Sequence, residues 1–313
     1  MTAEAFFAYA RERHSIYLRR LNGQLAPWTD DPILQKYRFT NVYRELDRTT
    51  LWLRKNITKR ILESNQPESH HWAEEMLMAT VMYRGFNRIT SGEIIFTQPD
   101  LDLKTPWDRF YATGDTSEII TRLRAAYPTG PYVTGSYIIT SPTGLPKLEG
   151  IMQNMLSFYN GNRWRSVARA LAAGKQDMRA FTTWLRSTPG HGPFTAYEVT
   201  CDLRYSGLLD KAEDRFTWAN VGPGALRGLT RIRGVPQANP RKPKDKWKIR
   251  ISDEQAQAEM RGLLELSRDP DYWPQNDPAW PPWEMREVEM NLCEIDKMLR
   301  VKLGEGRPRG RYP

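Results

Sequence analysis

Cysteine is almost missing from this chain: Cys201 and Cys293 are the two in 313 residues. That excludes a disulfide-stapled scaffold and fits a reducing compartment. No apolar run is long enough to cross a bilayer, so a membrane span is not expected. Met1–Arg11 carries an acid early and lacks the basic-then-apolar order of a signal peptide. Histidine is equally scarce, with four residues. His70-His71 does not make a metal pair, because adjacent residues diverge on a helix and nothing nearby completes a ligand set. His191, among glycines and prolines, reads as a loop histidine. The phosphate-loop pattern G-x-x-x-x-G-K-[ST] occurs nowhere, which argues against a P-loop kinase or ATPase. Internal repeats and low-complexity domains are absent as well.

Positive charge is what the chain has in excess. Its 46 Lys and Arg outnumber 37 Asp and Glu, giving a formal net charge of +9. Such a balance favours a polyanionic partner, nucleic acid before membrane. The 11 Trp and 14 Tyr are mostly core, with some available to stack on bases.

Apolar spacing of three and four residues predicts helices over Phe6–Leu21, His70–Arg88 and Ser117–Tyr127. Further helices are expected over Leu148–Tyr159, Arg163–Ala173, Asp177–Leu185 and Phe194–Leu203. Lys36–Ile57 reads as one long helix, with Phe39, Val42, Tyr43, Leu46, Thr50 and Leu53 as its core stripe. On that reading Asn41, Arg44 and Arg48 share another face with Asp47 beside them. A solvated basic face is one reading of it; a phosphate clamp of Arg38, Arg44 and Arg48 is the other. Tyr132–Thr140 is either a strand or a buried helix. Ser252 caps a helix ending at Leu266, a Pro/Trp-rich loop follows over Asp269–Trp283, and the last helix spans about Glu284–Leu303. Glu289, Cys293, Asp296 and Arg300 flank its apolar stripe, half-sheltered, where carboxylates can acquire raised pKa values. Helix count and short connections give a mainly α fold, one domain over 1–313 with the option of two lobes around a cleft.

The stretch Trp218–Gly234 stands out. Two short apolar segments, Phe216–Val221 and Ala225–Ile232, flank Gly222-Pro223-Gly224. A helix beginning after such a turn presents free N–H groups, an anion site. Val221, Gly222, Pro223, Gly224, Arg227 and Arg231 are accordingly candidate DNA contacts. The pattern resembles the helix-hairpin-helix, which holds a DNA phosphate on backbone amides; an ordinary helical corner packing a core is the other reading. The basic, proline-broken segment 235–250 adds Lys242 and Lys244 as candidate backbone contacts.

Three segments together, Arg38–Arg48, Asn220–Leu229 and Leu292–Arg309, resemble the bacteriophage α-glutamyl/putrescinyl-thymine pyrophosphorylases, or amino acid:DNA transferases. Those are related to the helical domain of 5-hydroxymethyluracil DNA kinases and, more distantly, to helix-hairpin-helix DNA glycosylases. The resemblance implies a glycosylase-like helical fold acting on double-stranded DNA in the cytoplasm of an infected bacterium. It implies transfer of an amino acid or amine onto 5-pyrophosphoryloxymethyl-deoxyuridine, with pyrophosphate released. Asp296, Glu294 and Glu289 would then be candidate proton acceptors. Arg38, Asn41, Arg44, Asp47, Arg48 and Lys297 would handle the substrate and its pyrophosphate. No metal constellation is visible; Mg²⁺ at the departing pyrophosphate stays open, and no other cofactor is implied. A glycosylase acting on a modified pyrimidine, or a non-catalytic DNA-binding protein, are the alternatives. Ala225-Leu226-Arg227 lacks the lysine that bifunctional glycosylases use for a Schiff base.

Overall fold

Helices account for all the regular structure found in the computed structural model, which describes residues 1–64, 70–136, 138–161, 163–234 and 251–306. Among those residues there is no strand. The chain divides into two compact units, Met1–Asp47 with Asp214–Pro313, and Arg48–Glu213.

The first unit begins with α1 (Ala3–Leu21) and α2 (Pro32–Lys36). The second holds α3 (Arg48–Leu53), a π-helical turn over Arg54–Thr58, and α4 (Lys59–Ser64) as one continuous rod. It continues with α5 (His71–Phe86), α6 (Ile89–Phe96), α7 (Pro106–Thr113) and α8 (Ser117–Ala126). Its last helices are α9 (Lys147–Asn160), α10 (Arg163–Ala172), α11 (Met178–Arg186) and α12 (Pro193–Leu203). The first unit resumes with α13 (Pro223–Ile232), α14 (Asp253–Leu266) and α15 (Met285–Lys302).

In the second unit α5 is the axis. It is buried from Ala73 through Phe86 on nearly every face, its polar Glu74, Thr80 and Arg84 included. Helices α9, α10 and α12 pack around it. Its one embedded cation, Arg84, is matched by Asp202 of α12, and Arg84 Nη2 reaches Asp202 Oδ1 at 2.7 Å. The described residues of Tyr132–Thr140 form neither strand nor helix. Their backbone is taken by other elements instead, Thr134 N–H donating to the Phe86 carbonyl and Ser91 Oγ to that of Tyr132.

In the first unit α15 packs against α1, α2, α13 and α14. Gly224 and Gly228, one helical turn apart, let α13 lie directly on it. A Cβ at Gly228 would stand 2.4 Å from the Leu292 carbonyl oxygen, and one at Gly224 2.3 Å from Cys293 Sγ. These two glycines are what lets the helices meet so closely. Gly228→Ala is therefore expected to cost about 1–3 kcal/mol, since backbone cannot yield as a side chain can. Urea unfolding checks this against Gly262→Ala in α14, where nothing lies within 4 Å. That control should be neutral or stabilise by about 0.5–1 kcal/mol.

Two expectations need correction here. Lys36–Ile57 is not one helix: after α2 the chain is irregular to Tyr43, makes a 3₁₀ turn over Arg44–Leu46, and enters α3 only at Arg48. Side chains have captured its backbone. Asn41 Nδ2 donates to the Leu46 carbonyl at 2.9 Å and Asp47 Oδ1 accepts from Asn41 N–H at 3.2 Å. Such local bonds compete with a helix. Likewise Phe216–Val221 is no α-helix. A 3₁₀ turn over Glu213–Phe216 leads into irregular chain, which Gln257 of α14 holds through both backbone groups of Ala219. The segment 235–250, with Lys242 and Lys244, lies outside the described residues.

Candidate active site

The site grows from α15. A reciprocal capping box between Glu284 and Glu287 fixes the start of this helix. Two turns on, Asn291 Nδ2 donates to the Glu287 carbonyl at 2.7 Å and to that of Val42 at 3.3 Å. The loop 38–43 is thereby tied to the helix. From the other side, Arg13 of α1 donates Nη2 to the Phe39 carbonyl and to Asn41 Oδ1, both at 2.9 Å. Asn41 passes the connection to Asp47 through Nδ2 at 3.1 Å.

This clamp assembles ionisable groups from distant parts of the chain. Glu294 Oε2 accepts from the Thr40 N–H at 3.0 Å and from Lys297 Nζ at 2.5 Å. The Lys297 ammonium stands 4.8 Å from the centre of the Phe39 ring. Glu289, one turn earlier, accepts the Gly222 N–H at 3.2 Å. Burial raises the Glu289 carboxyl to about 7, with Glu294 adding to the rise while the Gly222 amide and Arg44 oppose it. Asp47 is also raised, by burial first, with Arg44, the Asn41 amide and Arg13 pulling the other way. Arg13 Nη1 and Thr40 Oγ1 are buried with no hydrogen-bond partner among the described residues. Burial, with Glu289 and Glu294 nearby, pushes Cys293 up to about 12, so its thiol stays protonated and is a poor nucleophile.

Of the residues singled out in the sequence, Asn41, Arg44, Asp47, Glu289, Glu294 and Lys297 are thus neighbours in contact or field. Arg38 is exposed at the start of the clamped loop. Arg48 opens α3 in the other unit and does not share a helix face with Arg44.

Asp296 has a different environment from the half-sheltered flank expected of it. It is fully buried and faces α13, where Arg227 Nε and Arg231 Nε meet its two oxygens at 2.8 and 2.9 Å. Arg300 Nε lies 3.2 Å away. Arg231 is buried too, and its Nη2 pairs with Glu305 at 2.5 Å. These two arginines of α13 are therefore engaged in holding α13 on α15. Gly222, at the cap of α13, offers its N–H to Glu289, which ties the turn to the carboxylate cluster.

Sequence reading missed Arg13, Thr40 and Tyr9. Arg13 carried a signal, being a cation on the apolar stripe of α1. Tyr9 is buried with its hydroxyl unpartnered among the described residues, and it borders a groove of about 250 Å³ with Glu12, Leu34 and Met298. Its phenol is held far above its ordinary range, by burial first and then by the charge of Glu294. Tyr9 thus joins the groove to the carboxylate cluster.

A family model described as 5-hmdU DNA kinase, helical domain, matches residues 1–307. A 5-hmdU DNA kinase of Bacillus phage SP10 is 29% identical over 243 residues, which is 72% of this chain and 35% of the phage protein. The chain accordingly spans about a third of the length of that curated relative. No solved structure matches it.

Proposed function

The chain belongs to the family of the 5-hmdU DNA kinase helical domain, and from that premise we propose that it is a transferase of phage thymine hypermodification acting on DNA. Within that reading its reaction is amine transfer. The nitrogen of an amino acid or amine attacks the methylene carbon of 5-pyrophosphoryloxymethyl-deoxyuridine. A C–N bond forms, the C–O bond to pyrophosphate breaks, and the ammonium proton goes to the enzyme.

One observation carries the reading: Glu289, with its pKa raised to about 7, lies in a cluster with Arg44, Glu294 and Lys297. A base with a pKa near the working pH is the most effective proton acceptor. Glu289 takes that role, and the Lys297-paired Glu294 orients the ammonium. Arg44 and the unspent Nη1 of Arg13 stabilise charge on the departing pyrophosphate, with Arg38 at the exposed edge. The groove beside Tyr9 accommodates a small amine. Asp296 acts indirectly, by fixing α13, whose preceding turn supplies the Gly222 amide. DNA is held at Gly222–Gly224 and by the segment containing Lys242 and Lys244, with the target base out of the stack. A Mg²⁺ ion would take its ligands chiefly from pyrophosphate. The described residues contain no set of three His, Cys, Asp or Glu side chains placed to hold a metal.

The test incubates the protein with duplex DNA containing the pyrophosphorylated nucleotide and a pool of amino acids and amines, then analyses nucleosides by mass spectrometry. The expected product is heavier than 5-hydroxymethyl-deoxyuridine by one amine less water. Free base with abasic sites would make the protein a glycosylase. An unaltered substrate, with DNA bound, would leave a binding protein.

A further inference from the structure

Among the described residues, a concentration of exposed positive charge lies on α10 and α11 of the second unit, whereas the carboxylate cluster belongs to the first. From Gly161 to Gly192 the chain carries Arg163, Arg165, Arg169, Lys175, Arg179 and Arg186 against a single acid, Asp177. That is a net +5 in a chain whose total is +9. Local folding sorts these charges outward. Helix α11 buries Met178, Phe181, Thr182 and Leu185, which leaves Arg179, Thr183 and Arg186 on its open side at spacings of four and three. Arg163, Lys175 and Arg186 are exposed and make no ion pair among the described residues. Arg165 and Arg169 share one buried carboxylate, Glu74. Asp177 is itself occupied as the N-cap of α11, accepting from the Ala180 N–H at 2.6 Å.

Two of these arginines, Arg163 and Arg179, border a depression. A groove of about 620 Å³ is lined by Arg163, Asp177, Arg179, Thr183, Trp184 and Ser187. Guanidinium forks, hydroxyls and the edge of an indole are the groups that grip phosphodiester oxygens and sugars without reading bases. A protein-core role does not explain Arg163, Lys175 and Arg186, kept exposed with no ion pair among the described residues, since like charges repel and this costs stability.

We infer that the α10–α11 face is a second DNA-binding surface, one that grips the phosphodiester backbone of the duplex independently of the modified base. That the polyanion is DNA rests on the function proposed above. The surface contributes affinity and register along the duplex, and the chemistry stays with the carboxylate cluster.

The experiment measures binding of an unmodified 20-base-pair duplex by fluorescence anisotropy across a salt series. It compares the wild type with the triple variant R163Q/R179Q/R186Q and with its conservative counterpart R163K/R179K/R186K. Loss of three phosphate contacts should weaken binding at least about tenfold and flatten the log–log salt slope by roughly 2–3. The lysine variant should keep the wild-type slope, and both variants should transfer amine to a modified trinucleotide at the wild-type rate. An unchanged affinity and slope in the glutamine variant would overturn the inference, as would equal loss in the lysine variant. If the wild type transferred nothing to modified DNA while the glutamine variant still lost its slope, the proposed reaction would fall and the surface would stand.

Discussion

Asp296→Ala is expected to destabilise the first unit by about 3–5 kcal/mol, the usual consequence of removing one partner from a buried ion pair. Asp296 is fully buried, and Arg227 and Arg231 each place a nitrogen within 3 Å of one of its oxygens. Without the carboxylate, the buried Arg231 keeps Glu305 as its one acidic partner among the described residues, and the contact of α13 with α15 loses its charge balance. Against a total stability of about 5–15 kcal/mol for a typical domain, this is a severe loss. Urea unfolding should show a large fall in midpoint with little change in slope. Transfer by whatever fraction remains folded should run near the wild-type rate. A variant with an unshifted midpoint and no transfer would identify Asp296 as the proton acceptor and displace Glu289.

Glu289→Gln should do the opposite. The amide keeps an oxygen to accept the Gly222 N–H but cannot take a proton, so a loss of about 10²–10⁴-fold in transfer rate is expected. In the wild type, transfer should rise with pH up to about 7 and then level off, because the ionised carboxylate is the active form. That rise should vanish in the variant. Stability moves the other way. The folded pKa of about 7 lies above the ordinary 4.5, so the folded state favours the proton. The contribution is complete below 4.5 and lost as pH climbs through 7. Above pH 7 Glu289→Gln should consequently be at least as stable as wild type. A pH profile unchanged in the variant would remove Glu289 from the proton-transfer step.

Much of the helical framework was legible because its signal is local. The stripes of α1, α5 and α15 and the Ser252 cap each act within a few residues. The loop 38–47 was not legible, though its periodicity is real. Val42 and Tyr43 are buried as a helical stripe would demand, but Arg13, some thirty residues earlier, and Asn291, far downstream, hold this loop in an irregular backbone through Asn41 Oδ1 and the Val42 carbonyl. Asn41 and Asp47 then complete it by bonding locally. The site itself was half readable. Glu289, Glu294 and Lys297 follow from spacing on one helix, whereas their meeting with Thr40 and Arg44 depends on tertiary folding. Asp296 shows the limit most sharply. On α15 alone it looks like its neighbours, and what sets it apart is two arginines over sixty residues away. Gly224 and Gly228 teach the same point, since a glycine that admits close approach does not say whether a phosphate or another helix will approach.

The most direct test of the account is the dependence of pyrophosphate release on the amine. Wild-type protein and duplex carrying 5-pyrophosphoryloxymethyl-deoxyuridine are mixed with and without the amine that the product analysis identifies, and pyrophosphate is counted against modified nucleoside. The account predicts one pyrophosphate per amine-bearing nucleoside, and almost none when amine is withheld. Equal release in both mixtures, with 5-hydroxymethyl-deoxyuridine as the product, would show that water is the acceptor and contradict amine transfer.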